Sequence, residues 1–179
     1  TAVDDLLPSE ETGADMLGTV EFNSACFYRY ANVDLDQLAR NLGGDTELAG
    51  ATLEAYLRAA VSAVPTGKQN SMAAQNPPSF VFAVAREAGL WSLANAFAKP
   101  VWVGQSGDLV QQSIARLDEY WGRLTRMYGQ GGIAGTWVCG LEDDGLAHLK
   151  GAKVDSIEEL VQGVAKAVKF DGDGDGRKQ

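Results

Sequence analysis

The residues that could do chemistry begin with a Gly-Lys pair in "VPTGKQNSMAAQNPPSF", residues 64–80. Gly-Lys occurs in the nucleotide-binding P-loop, where backbone N–H groups and the lysine bind phosphate groups. That motif requires a glycine where this chain has Ser62, and a Ser or Thr where it has Gln69. It also leaves a strand and enters a helix, whereas here helix-like sequence comes first. Lys68 is therefore not the lysine of a P-loop.

The thiols and the imidazole do not form a recognisable catalytic or metal-binding set. Cys26 and Cys139 lie in apolar, strand-like sequence without a second Cys or His at metal-ligand spacing. This pattern predicts buried thiols in a reducing compartment. His148 is the single histidine, which argues against a zinc site. Catalysis by His148 would need a nucleophile and a pocket that the sequence does not indicate.

Two acidic clusters could bind metal ions but fit solvent-exposed segments better. The run "LEDDG", residues 141–145, is interpreted as a solvated turn. The run "FDGDGDGRKQ" places Asp171, Asp173 and Asp175 at the first, third and fifth positions of an EF-hand loop. The bidentate Glu of that loop would fall past Gln179, so we expect a disordered tail over 170–179. No metal and no cofactor is expected.

Composition limits the class of protein. The chain has 179 residues, 45% of them hydrophobic and 22% charged, which is typical of a globular domain. The longest apolar runs, such as "FVFAVA", are strand-sized, so we expect no membrane association and a cytoplasmic location. The formal net charge of −9 argues against non-specific nucleic-acid binding, although a local basic groove is compatible with it.

The first half of the chain predicts a strand, a helix and a second strand. Alternation in "TVEFNSACFYRYANVDL" predicts a strand, and "LDQLARNL" a short helical turn. Asp45 is a suitable N-cap for a helix over 45–64. That helix has an apolar face formed by Leu53, Tyr56, Leu57, Ala60, Val61 and Val64. The continuous apolar run "SFVFAVAR" is typical of a strand that is covered on both faces.

The second half repeats this alternation of helix and strand. "WSLANAFAKPVWV" is ambiguous between a short helix and an extended piece, and a helix follows over 108–128, with Gly129 as C-cap. "IAGTWVCGLED" is the next strand candidate, and Ser156 and Glu159 form a capping box for a last helix. Strands and helices therefore alternate, which indicates an α/β or α+β sandwich with helices on a sheet.

Longer stretches of the sequence resemble a known family. The runs "FYRYANVDL" and "NLGG", then "VPTGKQ" with "AAQNP", and "SLANAFAKPV" are together far more specific than any single motif. They are similar to the C-terminal half of the CasC family, the CRISPR RNA-binding backbone subunit of the type I-E CRISPR Cascade complex. The resemblance fades after about Leu117.

The resemblance implies a fold and a domain organisation. It implies an α+β chain with an incomplete core like the RNA-recognition motif, which is ferredoxin-like, and part of a β-hairpin thumb. Residues 1–22 would be the return strand of the thumb and a mobile loop, and 23–169 the C-terminal part of the core. The family's first half, including a lysine-rich segment that contacts RNA, would be missing, and Thr1 would lie near the thumb tip.

The resemblance also implies a function. Copies of this subunit would assemble along the guide RNA (crRNA) and hold its backbone, so that its bases pair with target DNA. The expected partners are crRNA, target DNA through the guide duplex, further copies of the chain and other Cascade subunits, and no catalysis is expected. Two alternatives stay open: a protein-interaction module without RNA contact, and a small α/β enzyme of unknown substrate.

Within this interpretation five residues are predicted to bind RNA. Lys68, Gln69 and Asn70 would contact a phosphate or ribose from the loop, unless they only cap the preceding helix. Thr1 would approach the RNA from the thumb. Arg29, between two tyrosines, would either face RNA or form an ion pair at an interface or at the edge of the core.

Overall fold

The computed structural model of this protein describes residues 25–67, 69–104, 107–142 and 145–170. Several predictions from the sequence concern other residues and lie outside this described part. They are the thumb strand and loop over 1–22 with Thr1, the loop residue Lys68, the acidic pair at 143–144 and the tail from 171 to 179.

Two antiparallel strands form the sheet of the described residues. Strand β1, Phe80–Arg86, pairs with strand β2, Ile133–Gly140, so that Phe80 lies opposite Gly140 and Phe82 opposite Val138. The backbone around Lys153 continues the sheet by one parallel bridge to Val138. Both strands follow the predicted apolar runs, which confirms these two elements.

Helices begin where the sequence supplies a side-chain cap. Helices α1, Leu35–Asn41, and α2, Thr46–Ser62, begin after Asp34 and Asp45, whose carboxylates each accept a backbone N–H three residues later. Helix α3, Gln69–Met72, is a single turn in the loop before β1. These aspartates satisfy N–H groups that have no partner inside the helix, and they also favour the positive helix end.

Helix α4, Leu109–Tyr128, covers one face of the sheet. Asp108 caps its start, and Gly129, with φ 78°, ends it in a backbone conformation that a side chain disfavours. Its apolar stripe packs into the main core, where Trp121 meets the ring of Phe82 edge-on at 5.0 Å. The buried members of this core are Leu93, Ile114, Leu117, Trp121, Val138, Leu146 and Leu149.

Helix α5, Ile157–Ala167, covers the opposite face of the sheet. Side chains alternate between the two faces along a strand, so Trp137 points away from the face of Val138. The Trp137 ring lies directly against Gly163 of α5, at a position that a Cβ atom would occupy. Helix α2 packs on the outside of α5. The expectation that β1 is covered on both faces is therefore confirmed.

The α+β class is confirmed, whereas the core like the RNA-recognition motif stays a prediction. One element is wrong: residues 25–34, the described part of the first predicted strand, have no regular secondary structure. Cys26 lies in this segment and is exposed, so the prediction that its thiol is buried is also wrong, while Cys139 is half-buried. The alternating pattern failed here because Phe27 and its neighbours pair with no described strand.

Candidate nucleic-acid interface

The candidate interface is the connection from α2 to β1, which contains the Gly-Lys pair. Helix α2 ends at Ser62, and the chain runs through 63–67 and the single turn of α3 before reaching β1. The predicted loop is therefore partly helical, with Gln69 and Asn70 as the first residues of α3. Asn70 is exposed and Gln69 half-buried, so the two amide side chains have different surroundings.

The Gln69 side chain closes this connection on itself. Its amide nitrogen Nε2 donates to the carbonyl oxygen of Pro65 at 2.9 Å and to that of Ala74 at 3.5 Å. Ala73, between them, has φ 49°, and its N–H donates to the carbonyl of Gln69 at 2.9 Å. The amide therefore holds both arms of the loop in place, while its oxygen Oε1 is buried without a hydrogen-bond partner among the described residues.

A concavity opens beside this amide. It has a volume of about 430 Å³ and is lined by Ser62, Val64, Pro65, Thr66, Gln69, Gln75 and Pro77. Its described walls combine apolar rings with amide and hydroxyl groups and carry no formal charge. Such a surface can accept a sugar or the flank of a phosphodiester, because hydroxyls and amides bond to either without selecting a base.

Arg29 is placed next to this connection by its contacts with the C-terminus of α2. Its guanidinium donates to the carbonyl oxygens of Ala63, at 2.6 Å, and of Ala60. The last carbonyls of a helix have no partner inside it, and a cation there is also stabilised by the helix dipole. Arg29 thus caps α2, and the described residues give it no ion pair with a carboxylate.

The segment around Arg29 is fixed by its aromatic neighbour. The hydroxyl of Tyr28 accepts the N–H of Leu93 at 3.0 Å, and its ring lies 5.6 Å from that of Phe97. The structure therefore brings Arg29 to the start of the loop that carries Gln69 and Asn70. Lys68 and Thr1, the other two predicted RNA contacts, lie outside the described residues.

An ion pair ties the helix before the loop to α5. The guanidinium of Arg58 donates to Glu158 at 2.7 Å and to Glu54 at 3.0 Å. These bonds lower the pKa of the Glu158 carboxyl and raise the pKa of Arg58 above its ordinary value. The pair is exposed, so its contribution to stability is small, and it links α2 to α5 rather than holding the loop itself.

His148 lies far along the chain in a segment organised by a buried carboxylate. Asp118 of α4 is only 3% exposed and accepts the backbone N–H groups of Ala147, His148 and Leu149 at 2.8–3.1 Å. Sequence reasoning missed Asp118; the available signal was a charged residue directly beside the apolar stripe of α4. The His148 ring itself is exposed and lies against Gly122.

Two negative findings apply to the described ranges alone. Between residues 25 and 170, with the short gaps stated above, His, Cys, Asp and Glu nowhere form a group of three that could hold a metal ion. In the same residues no helix is long and apolar enough to cross a membrane.

The comparisons with known proteins agree with this architecture. The model of the CT1975-like protein family matches residues 1–163. One solved structure, described as "CRISPR RNA-guided surveillance complex", is similar with a TM-score of 0.78 and 32% identity over 93% of this chain and 62% of that chain. Another, described as "CRISPR RNA-guided surveillance complex, pre-nicking", has a TM-score of 0.65 and 30% identity over 75% of this chain and 35% of that chain. The comparison with curated proteins gives no match.

These findings define the class first and the family second. The fold is that of a chain found in CRISPR RNA-guided surveillance complexes. This chain covers 62% of the length of one matched chain and 35% of the length of the other. The protein belongs to the CT1975-like protein family. The resemblance seen in the sequence is confirmed at this level, and its narrower assignment to CasC stays a prediction.

Proposed function

We propose that this protein is a non-catalytic, RNA-binding backbone subunit of a Cascade-type CRISPR surveillance complex in the cytoplasm. The observation that carries this proposal is the loop between α2 and β1, a concavity whose described walls bear amide and hydroxyl groups, next to the guanidinium of Arg29. Its expected ligand is the sugar-phosphate backbone of a guide RNA, since a subunit that serves any guide must avoid reading bases. The structural matches to RNA-guided complexes support this assignment.

Assembly with further copies and with other subunits follows from the same proposal. Phe27 is 80% exposed and Trp102 is 86% exposed, which is unusual for large apolar side chains. Partner subunits that bury such rings would gain the stabilisation typical of aromatic contacts at interfaces. Target DNA is proposed to reach the protein through the guide duplex rather than by contacts of its own.

The loop is tested by replacing Gln69 and Asn70 with alanine in the protein co-expressed with guide RNA and the remaining subunits. We expect the double variant to retain less guide RNA and to release it at lower salt, because Gln69→Ala opens the loop and Asn70→Ala removes an exposed amide, so that sequence-independent backbone contacts are lost. The matched control is Gln37→Ala with Asn41→Ala, which removes the same two side-chain types from the exposed face of α1. Equal RNA retention by both double variants would refute the loop assignment.

Lys68, Thr1 and Arg29 remain proposed RNA contacts, and Arg29 needs a separate test because it already caps α2. Arg29→Ala should increase amide hydrogen exchange at the C-terminal turn of α2, by loss of a cap worth roughly 1 kcal/mol. If Arg29 also contacts RNA, bound guide RNA slows this exchange in the natural protein and has a weaker effect in the variant. If bound guide RNA leaves this exchange unchanged, Arg29 caps α2 and does not contact RNA.

A further inference from the structure

Arg86 is the last residue of β1 and occupies an irregular position in the sheet. The register shifts between Ala85 and Arg86, so that Ala85 faces Gly135 while Arg86 faces Ile133. Such irregularities commonly re-aim a side chain at the end of a strand. Its guanidinium lies 3.7 Å from the centre of the Trp91 ring, which packs against Trp121 of α4, so the cation is on the α4 side of the sheet.

The cation of Arg86 has no negative partner in the described part of the chain. Its Nε and Nη1 atoms are buried and make no hydrogen bond there. The neighbouring carboxylate of Glu87 forms no ion pair with it. A guanidinium that is partly removed from water and lacks an acceptor is stabilised by an external anion more strongly than a fully hydrated one is.

The Trp91 ring connects this cation to an exposed tyrosine. Trp91 contacts Tyr128, the last residue of α4, with ring centres 5.9 Å apart and planes inclined by 50°. Trp91 also packs edge-on against the buried Trp121, which fixes its position. Tyr128 is 64% exposed and leaves most of its surface open. Arg86 and Tyr128 are therefore joined through their shared contact with Trp91, and this surface lies at the junction of β1 and α4.

We propose that Arg86, Trp91 and Tyr128 form a second nucleic-acid contact, which binds one phosphate of a single strand on Arg86 and stacks its base on Tyr128. A nucleotide would use both the Arg86 cation and the Tyr128 ring, because its phosphate is an anion and its base has an aromatic face. A carboxylate from an acidic protein segment would engage Arg86 alone and leave Tyr128 exposed. The surface therefore favours nucleic acid over an acidic peptide.

This contact is separate from the loop between α2 and β1. The loop precedes Phe80 and Arg86 ends the same strand, so the two lie at opposite ends of β1, about 20 Å apart at the usual rise per residue. A single nucleotide cannot reach both. The two sites therefore engage different parts of a strand, or different strands, and each can be removed without the other.

The test measures binding of a fluorescein-labelled, single-stranded oligouridylate by the full chain across a salt series. Arg86→Gln should weaken binding at least about fivefold and reduce the salt slope by about 0.7, the value for one lost phosphate contact on a single strand. Tyr128→Ala should weaken binding at least about fivefold through lost stacking, and Tyr128→Phe should restore it. The control is Arg40→Gln, which removes one positive charge from an exposed position of α1. Its affinity should stay within about twofold of that of the natural protein.

Three outcomes would overturn the proposal. The first is equal binding by Arg86→Gln and Arg40→Gln, and the second is loss of affinity in Arg86→Gln without any change in salt slope. The third is that an oligoglutamate peptide competes with the oligouridylate for the natural protein but not for Arg86→Gln. That result would assign the surface to an acidic protein partner. If Arg86→Gln misfolds, Arg86→Lys keeps the charge and should keep the salt slope. The binding differences between these variants should persist when Gln69 and Asn70 are replaced with alanine. A failure of the loop site can therefore be distinguished from a failure of this second contact.

Discussion

Asp118 offers the most direct test of how this fold is held together. The side chain is almost fully buried in α4, and its carboxylate accepts three consecutive backbone N–H groups, from Ala147 to Leu149. The change Asp118→Ala removes every one of these acceptors at once. The three N–H groups lie in a partly buried segment, where water can replace the carboxylate only in part.

The expected loss follows from the number and kind of these bonds. A hydrogen bond to a charged group contributes about 1.5–3 kcal/mol, and the effects of bonds that share one acceptor add incompletely. We therefore expect Asp118→Ala to lower the free energy of unfolding by about 3–5 kcal/mol, a large part of the roughly 5–15 kcal/mol typical of a domain. For a chain of this size that corresponds to a fall in Tm of roughly 10 °C.

Thermal unfolding followed by circular dichroism measures this loss. The control is Glu119→Gln, which removes the same charge from the neighbouring, exposed position and should change stability by less than about 0.5 kcal/mol. Asp118→Asn should give an intermediate value, because its amide oxygen still accepts while its nitrogen does not. If Asp118→Ala melts within about 2 °C of the control, the carboxylate does not organise this segment and the reasoning is wrong.

Two further predictions concern helix packing. Hydrogen bonds from Arg58 lower the pKa of Glu158 in the folded protein. The pair therefore stabilises the protein at pH values above the ordinary pKa of glutamate, about 4.3. This stabilisation is lost as the pH falls through the lowered folded-state pKa. Glu158→Gln should therefore be less stable than the natural protein at neutral pH and equally stable in acid; a constant difference across chemical-denaturation curves at several pH values would contradict the linkage. Gly163→Ala should destabilise by about 1–3 kcal/mol because its Cβ overlaps the Trp137 ring, whereas Gly50→Ala on the open face of α2 should stabilise by up to about 1 kcal/mol. Melting temperatures that move in the same direction for both glycines would contradict this packing.

The sequence was enough to locate the candidate site, but it did not specify the contacts that shape it. The departure of "VPTGKQ" from a P-loop and its place between a helix and a strand indicated a polar loop that could contact an anion. The bonds from Gln69 Nε2 to two carbonyls, which shape the concavity, join residues on either side of a one-turn helix that no pattern predicted. Arg29 was expected at an RNA surface or in an ion pair, and its contacts with α2 depend on a chain path that local alternation cannot specify.

The sequence by itself determined the elements whose signals are local. The carboxylates of Asp45 and Asp108 cap the helices that follow them, and the glycine after Tyr128 ends α4, since capping needs only neighbouring residues. Ser156 accepts the N–H of Glu159 as the capping box requires, although Glu159 accepts the N–H of Asp155 instead of that of Ser156.

Tertiary structure alone decided which of these signals produce structure and which surfaces meet. Residues 25–34 alternate like a strand but remain irregular, because a strand requires a partner and the alternation does not supply one. Burial of Asp118 depends on a segment about 30 residues later in the chain, and Trp91, whose ring lies under the Arg86 guanidinium, meets Tyr128 at the far end of α4. Such contacts between distant residues depend on how the chain packs as a whole, so no local pattern encodes them.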